Sequence, residues 1–474
     1  MTRRSDALWR KLVACEPAAQ LTPALFTDRR ARRATPMWAR ARGSHVWDAD
    51  DRRYLDLSAG FGVASVGHAN PRVVAAVRRQ AARLLHGFGD VHPHEMRARL
   101  AARLARLAPW PDARVLWAQS GSEAVELAWK TAYLATGRPG VLAFEGGYHG
   151  DSGTALSHTG WPELRTPFAT LLPARTVWGP YPDCKRCPLS LRFPSCEIAC
   201  AREAFARADR RGARVGAVLV EPIQGRGGQV VPPPGFLGLL RRETRRRGWL
   251  LIADEIYTGL GRTGRRFAFQ HERVTPDLVC VGKTLGGGIP IAAVLGPARL
   301  LAAWKRVRTA GEAPVSGTFF AHPLACAAAL AALDEIDRKR LVARASRMGR
   351  IVLGDLRALA RGRPRVFDVR GRGLLLGIEL ARLDGSPDPA LAAAVVRAAL
   401  ARGLLLLGGG VHGNVICLSP PLTISVPEWR RARQVIEAAL DDALGRLSTI
   451  GSRVSRNAAV DSQQTQKRIR RRKK

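Results

Sequence analysis

Apolar residues recur at helical spacing in PRVVAAVRRQAARLL (71–85) and HEMRARLAARLARLA (94–108). Just ahead, HVWDADDRRYLDLSAG (45–60) alternates in the manner of a β-hairpin. The pattern then changes to short apolar runs without polar alternation: RVLWA (114–118), VLAF (141–144), VGAVLV (215–220), WLLIA (249–253) and DLVCV (277–281). Buried parallel strands read this way, because helices cover both faces of their sheet. Helical periodicity returns from about 330, around the runs GLLLGIEL (373–380), GLLLL (403–407) and VICL (415–418). PEWRRARQVIEAALDDALGRL (427–447) closes this second unit. The expected division is an N-terminal arm and hairpin (1–65), a large α/β domain (66–330), a small C-terminal domain (331–448) and a disordered basic tail (449–474).

Length and charge sharpen the picture. A chain of 474 residues has room for two or more domains. Of its 76 basic residues nine are lysine, which leaves 67 arginines, and the net charge is +37. Such a field attracts anions, nucleic acid among them. The arginines follow no single stripe, so solvated faces explain them better and nucleic-acid binding is not expected. No run of about eighteen apolar residues predicts a membrane span, and the start lacks the apolar stretch of a signal peptide. Eight cysteines in so long a chain do not suggest a disulfide framework. A cytoplasmic enzyme is the expectation.

Open parallel sheets bind ligands beyond the carboxyl ends of their strands. Those ends carry Gln119-Ser120-Gly121-Ser122, the run from Glu145 to Gly150, Glu221, Asp254-Glu255 and Lys283. Ser120-Gly121-Ser122 opens an apparent helix, whose free N–H groups and positive dipole end suit a phosphate. Ser122 also reads as an ordinary N-cap. Lys283 stands alone after DLVCVG in a chain that prefers arginine. A desolvated lysine can lose its proton and attack a carbonyl, which a guanidinium cannot; the plainer alternative is a structural lysine. Asp254 ends an apolar run, and its carboxylate needs a partner there, either an arginine or a protonated pyridine nitrogen. Cys184, Cys187, Cys196 and Cys200 form two close pairs, spaced for a zinc or iron–sulfur site or simply free.

The ordered series SGSEA (120–124), YHG (148–150), VEPIQG (220–225), ADEIYTGLGRTG (253–264), PDLVCVGKTLGGGIPIAA (276–293) and GTFFAHPLA (317–325) resembles the class III aminotransferases. This is the ornithine/4-aminobutyrate type of pyridoxal-phosphate-dependent enzyme, and the likeness covers about residues 35–445. The resemblance implies the type I fold, an α/β architecture with a large, mostly parallel sheet domain and a small α/β C-terminal domain. It also implies a homodimer with shared active sites, an amino donor and an oxo-acid acceptor. Lys283 then holds pyridoxal 5′-phosphate as an imine and shuttles the substrate proton, while Asp254 holds the pyridinium. Tyr148 and Ile256 flank the ring. Ser120, Gly121 and Ser122 cradle the phosphate, with Thr318 donated by the neighbouring subunit. Glu221 lies near the ring, linked to His149 or to the cofactor hydroxyl. Tyr257 stands where glutamine is frequent beside that hydroxyl.

Two departures bear on substrate. Many members of that family read EPIQGE, where this chain has Arg226, and many carry an arginine where VICLSPPL has Cys417. Both halves of their carboxylate gate are replaced, so neither ornithine, 4-aminobutyrate nor 2-oxoglutarate follows. Arg226 becomes the candidate substrate-carboxylate ligand. Racemisation, decarboxylation and aminomutase chemistry on the same scaffold need Lys283 and Asp254 equally. A basic nucleic-acid-binding protein, the alternative from another class, leaves the motif series unexplained.

Overall fold

The computed structural model describes residues 3–16 and 35–445, apart from Asp90, Pro173, Ala174, Ala213, Ala310 and Glu312. The expected basic tail and part of the N-terminal arm lie outside the described residues. Near the start, β1 (Trp38–Arg42), β2 (His45–Asp48) and β3 (Arg53–Asp56) form an antiparallel meander, so the alternation over 45–60 does fold as a hairpin. Asp48 shapes its turn by accepting the N–H groups of Asp50 and Arg52, each at 2.9 Å.

The central sheet contains β4 (Ala113–Ala118), β5 (Gly140–Phe144), β6 (Thr176–Gly179), β7 (Val215–Val220), β8 (Leu250–Asp254), β9 (Leu278–Val281) and β10 (Ala292–Pro297). Their order is β4-β10-β9-β8-β7-β5-β6. Every pairing is parallel except those of β10, which runs antiparallel to β4 and β9. Five of these strands are the five apolar runs. The remaining two escape a reading by pattern: β6 is an edge strand, TVWG, whose burial alternates and leaves no continuous apolar run, and β10 merges into the Gly/Pro-rich segment before it. Successive side chains enter opposite cores. Val218, Leu251 and Val279 join one apolar cluster, whereas Ala217, Ile252 and Cys280 join the other. Helix Gly121–Thr136 covers the second face through Ala124, Val125 and Ala128.

The C-terminal part holds β11 (Val366–Arg372), β12 (Leu375–Leu380), β13 (Leu404–Leu405), β14 (Leu407–Gly409) and β15 (Val415–Leu418). An antiparallel sheet of order β11-β12-β15-β14 gathers four of them, while β13 pairs in parallel with β3. The run GLLLL thus divides between two sheets, one of which ties the C-terminal part to the hairpin near the start. The closing helix spans 426–445. Ser425 and Glu428 cap it reciprocally, and buried Trp429 donates its indole N–H to Asp355 at 2.7 Å. Among the described residues, no helix is long and apolar enough to cross a membrane.

Helix Leu341–Ala360 lies against the turn between β11 and β12, and Gly349 sets the separation. A Cβ there would stand 2.1 Å from the carbonyl oxygen of Gly373 and 2.5 Å from its carbon. Gly349→Ala gains about 1 kcal/mol of helix propensity but forces backbone apart, at about 1–3 kcal/mol or more. The clash should win, and the thermal midpoint should fall. A midpoint that rises would show that the helix retreats from the turn freely.

Candidate active site

Helix Gly121–Thr136 begins at the carboxyl end of β4, and Ser120 is its N-cap. Ser120 Oγ accepts the Glu123 N–H at 3.1 Å, and Glu123 returns a carboxylate oxygen to the Ser120 and Gln119 N–H groups. The capping role considered for Ser122 therefore belongs to Ser120. Ser122 instead meets the loop after β5, where a Cβ on Gly150 would sit 2.2 Å from its Oγ. Gly150 also has φ +128°, so close approach and backbone conformation both require glycine. This contact presses the Tyr148–Gly150 loop onto the positive end of the helix.

Asp254 ends β8 and is 4% exposed. Its Oδ2 lies 2.8 Å from His149 Nδ1, and its Oδ1 accepts the Ile256 N–H at 3.1 Å. Its partner is a buried histidine rather than the arginine of the plainer alternative. Glu221, after β7, bridges two loops: Oε1 accepts the Tyr148 N–H at 2.7 Å, and Oε2 accepts that of Gly225 at 2.9 Å. Of the two links expected for Glu221, to His149 or to the cofactor hydroxyl, the first is not formed: the imidazole is held by Asp254, and Glu221 by backbone N–H groups. Burial pushes the Glu221 carboxyl up to about 7, opposed by His149 and reinforced by Asp254.

Lys283 follows β9 with φ +40°, a conformation unfavourable for a residue with a Cβ. Its Nζ stands 4.5 Å from the Tyr257 ring centroid. Burial lowers the pKa of this amine, Asp254 and Glu221 oppose that through space, and Arg226 adds to it. The Tyr257 ring is wedged between two glycines: a Cβ on Gly225 would come within 2.2 Å of Cδ1, and one on Gly62 within 2.5 Å of Cε2. Its hydroxyl lies 3.0 Å from Ser419 Oγ, which donates to the Ser58 carbonyl. The phenol is thereby tied to Ser419, and the ring face meets Lys283. Ile256 lies between Gly121 and Gly282, whose added Cβ atoms would approach it to 3.0 and 3.5 Å.

Arg226 is exposed and stacks its guanidinium on the site's aromatic residues, 4.4 Å from the Tyr148 ring centroid and 5.5 Å from that of Trp161. Cys417 is buried, which raises its thiol to about 11. Beside it, Gln229 is 1% exposed with neither amide atom hydrogen-bonded in the structure. Thr318 is exposed, and no hydrogen bond of the described residues joins it to Lys283 within the chain. The four cysteines expected as a metal set are free thiols, and the described residues contain no group of three His, Cys, Asp or Glu able to hold a metal. Cys200 is a buried residue of helix Ala199–Arg210, where burial raises its thiol to about 11. Arg186, between the first two cysteines, is drawn instead to Glu379 and over the Phe367 ring. Sequence reasoning singled out neither Ser419 nor Gln229. Ser419 lay within a quoted motif, but only folding places it against Tyr257.

The donor set fits pyridoxal phosphate: a helix N-terminus for the phosphate, a buried carboxylate for the ring N–H, flanking Tyr148 and Ile256, and an amine of lowered basicity. Fold and site together define a pyridoxal-phosphate enzyme of the type I fold. The chain belongs to the class-III aminotransferases, whose family description matches residues 26–440. It is 37% identical over 417 residues to a 4-aminobutyrate aminotransferase of Mycobacterium leprae, covering 85% of this chain and 90% of the relative. A leucine/methionine racemase of Thermococcus litoralis is 34% identical, with coverage of 85% and 90%. An amine transaminase from an uncultivated Pseudomonas species, solved with pyridoxal phosphate bound, superposes with a TM-score of 0.81 at 31% identity. That match covers 90% of this chain and 98% of the other. The protein is an enzyme, a transaminase dependent on pyridoxal phosphate.

Glu255 adjoins Asp254 and is also buried; it accepts the Phe269 N–H at 2.9 Å and the Thr258 hydroxyl at 2.5 Å. Burial pushes its carboxyl from 4.5 to about 7. The folded chain thus keeps this proton to higher pH than the unfolded chain. The resulting penalty is absent at low pH, grows as pH rises to about 7, and is complete above it. In Glu255→Gln the amide oxygen still accepts the Phe269 N–H and the NH2 donates to a reversed Thr258 hydroxyl, so the stabilisation should be small at pH 5 and on the order of 3 kcal/mol at pH 8. Urea midpoints at the two pH values check this; equal shifts would mean that Glu255 titrates normally.

Proposed function

We propose that Lys283 binds the cofactor and moves the proton at the substrate's Cα, while Asp254, braced by His149, holds the ring nitrogen's proton. When bound, pyridoxal phosphate supplies an electron sink conjugated to that carbon. The observation that carries this reading is the placement of the amine and the histidine-braced carboxylate beyond adjacent strands, β9 and β8. Lowered basicity leaves a larger fraction of Lys283 unprotonated near neutral pH, the form that abstracts a proton. Ser120, Gly121 and Ser122 take the phosphate at the helix start, and Glu221 holds the loops carrying Tyr148 and Gly225. Tyr148 and Ile256 confine the ring. In this reading 66–330 is the cofactor domain and 331–448 the smaller unit closing over it.

Arg226 receives a carboxylate of the amino donor or oxo-acid acceptor. Its stack on Tyr148 fixes the guanidinium where it already acts on the Lys283 amine, and Cys417 offers no competing cation. A second copy completes the site. Thr318 lies beside Phe319 (53% exposed), and the neighbouring segment carries Phe88 (63%) and Val91 (62%). The His86 and Phe319 rings meet at 5.4 Å, which places the two segments side by side. An exposed apolar face of this kind marks an interface, and a homodimer would cover it. Eight free cysteines suit a reducing compartment, the cytoplasm.

Lys283→Arg retains the charge but removes the amine that can form an imine. Turnover should fall by several orders of magnitude, and borohydride should no longer fix the cofactor to the chain. Oxo product released from the amino donor at the usual rate would end this assignment. Arg226→Gln should raise KM for carboxylate-bearing substrates by about ten- to a hundredfold, with much smaller effects on simple amines or aldehydes. An equal loss with charged and neutral substrates, or no loss, would remove Arg226 from substrate binding.

A further inference from the structure

A cleft of about 690 Å³ separates the segment Gly264–His271 from helix Leu341–Ala360. Its floor is a close backbone contact, since a Cβ on Gly264 would stand 2.9 Å from the Ser346 Cα. Arg265 and Arg266 line one wall, and Arg347 and Arg350 the other. No aspartate or glutamate lines it. Arg266 alone of the four is paired, with Asp337, a carboxylate it shares with Arg103. Among the described residues no carboxylate forms an ion pair with Arg265, Arg347 or Arg350. Arg266 Nη1 is buried without a hydrogen-bond partner. Such an N–H is unfavourable unless an acceptor reaches it.

We propose that this cleft binds a compact polyphosphate, either inorganic or the phosphate chain of a nucleotide. Four arginines from two elements, Arg265, Arg347 and Arg350 among them exposed, line one concavity of ligand size. Planar guanidinium forks match phosphate oxygens in pairs, so arginines on two walls suit a ligand carrying several phosphates. Ser346 Oγ already accepts from Arg350 Nη1 at 3.3 Å and Gln270 Oε1 from the Phe267 N–H at 3.1 Å, which leaves the Ser346 hydroxyl and the Gln270 NH2 as neutral donors to a ligand. His271, also in the lining, is held down to about 4 by burial and then by Arg372 and Arg265, so it adds no charge near neutral pH.

The test is titration calorimetry of the full-length holoenzyme with inorganic tripolyphosphate and, separately, ATP, at about 0.15 M salt. The proposal expects saturable binding of one ligand per chain, weakened at least about tenfold by Arg347→Gln/Arg350→Gln. Arg78→Gln/Arg79→Gln, on the exposed face of another helix, removes the same charge and should change it little. The basic tail is common to all variants and drops out of the comparison. If the first variant folds poorly, Arg265→Gln on the opposite wall should weaken binding in the same direction. Tighter binding of ATP would assign the nucleotide, and equal binding the phosphate chain alone; both support the site. Equal weakening in the two double variants, or no saturable binding, would overturn it.

Discussion

A carboxylate buried without a partner is several kcal/mol unfavourable, and Asp254 is spared that by the nearby Ile256 N–H and, from another loop, by the imidazole at His149 Nδ1. Much of the site's order follows from the second contact. The histidine's own N–H is fixed on Thr159, whose hydroxyl donates to the Gly150 carbonyl. Gly150 in turn touches Ser122 at the helix start. The end of β8, the loop after β5 and the helix after β4 are therefore one connected unit. Lys283 faces this unit from β9, and its basicity records the balance between burial and the two nearby carboxylates.

A second buried charge links the parts of the chain. Arg262 is fully buried and donates to the Leu374 and Pro420 carbonyls and to Ser65 Oγ. Ser65 Oγ lies 2.7 Å from the hydroxyl of Thr284, the residue after Lys283. One guanidinium thus spans the C-terminal sheet, the N-terminal segment and the cofactor edge. Neutral oxygens around a buried charge provide hydrogen bonds without fully compensating its desolvation, and burial lowers the arginine's pKa to about 10. An apolar side chain there would abolish all three links at once.

Much of this was legible before folding was considered. Strands buried on both faces leave short apolar runs, and the residues following those runs lie at one edge by topology alone; Asp254, Glu221 and Lys283 were found in that way. The misses have specific causes. Ser419 takes its meaning from Tyr257 and Gln229 from its place beside Cys417, each distant in sequence. Sequence links Glu221 to His149 or to the cofactor hydroxyl, and only geometry shows that the imidazole belongs to Asp254. Cysteine spacing suggested a ligand set, whereas helix Ala199–Arg210 buries Cys200 and Arg186 is engaged elsewhere.

The wedge around Tyr257 has a consequence for how such a site diverges. Glycine at 62 comes from a segment before the central sheet and glycine at 225 from the loop after β7, yet both exist in relation to one ring. A smaller residue at 257 would leave a gap that position 225 could fill with a side chain, whereas Gly62, at φ +80°, is held to glycine by its backbone as well. Substitution at 257 is therefore a ratchet: once position 225 has grown, tyrosine cannot return without a clash. Sites that differ by this single aromatic should differ at 225 as a correlated pair, and a transplant of Tyr257 alone into a relative without that glycine would displace the ring from the lysine it faces here.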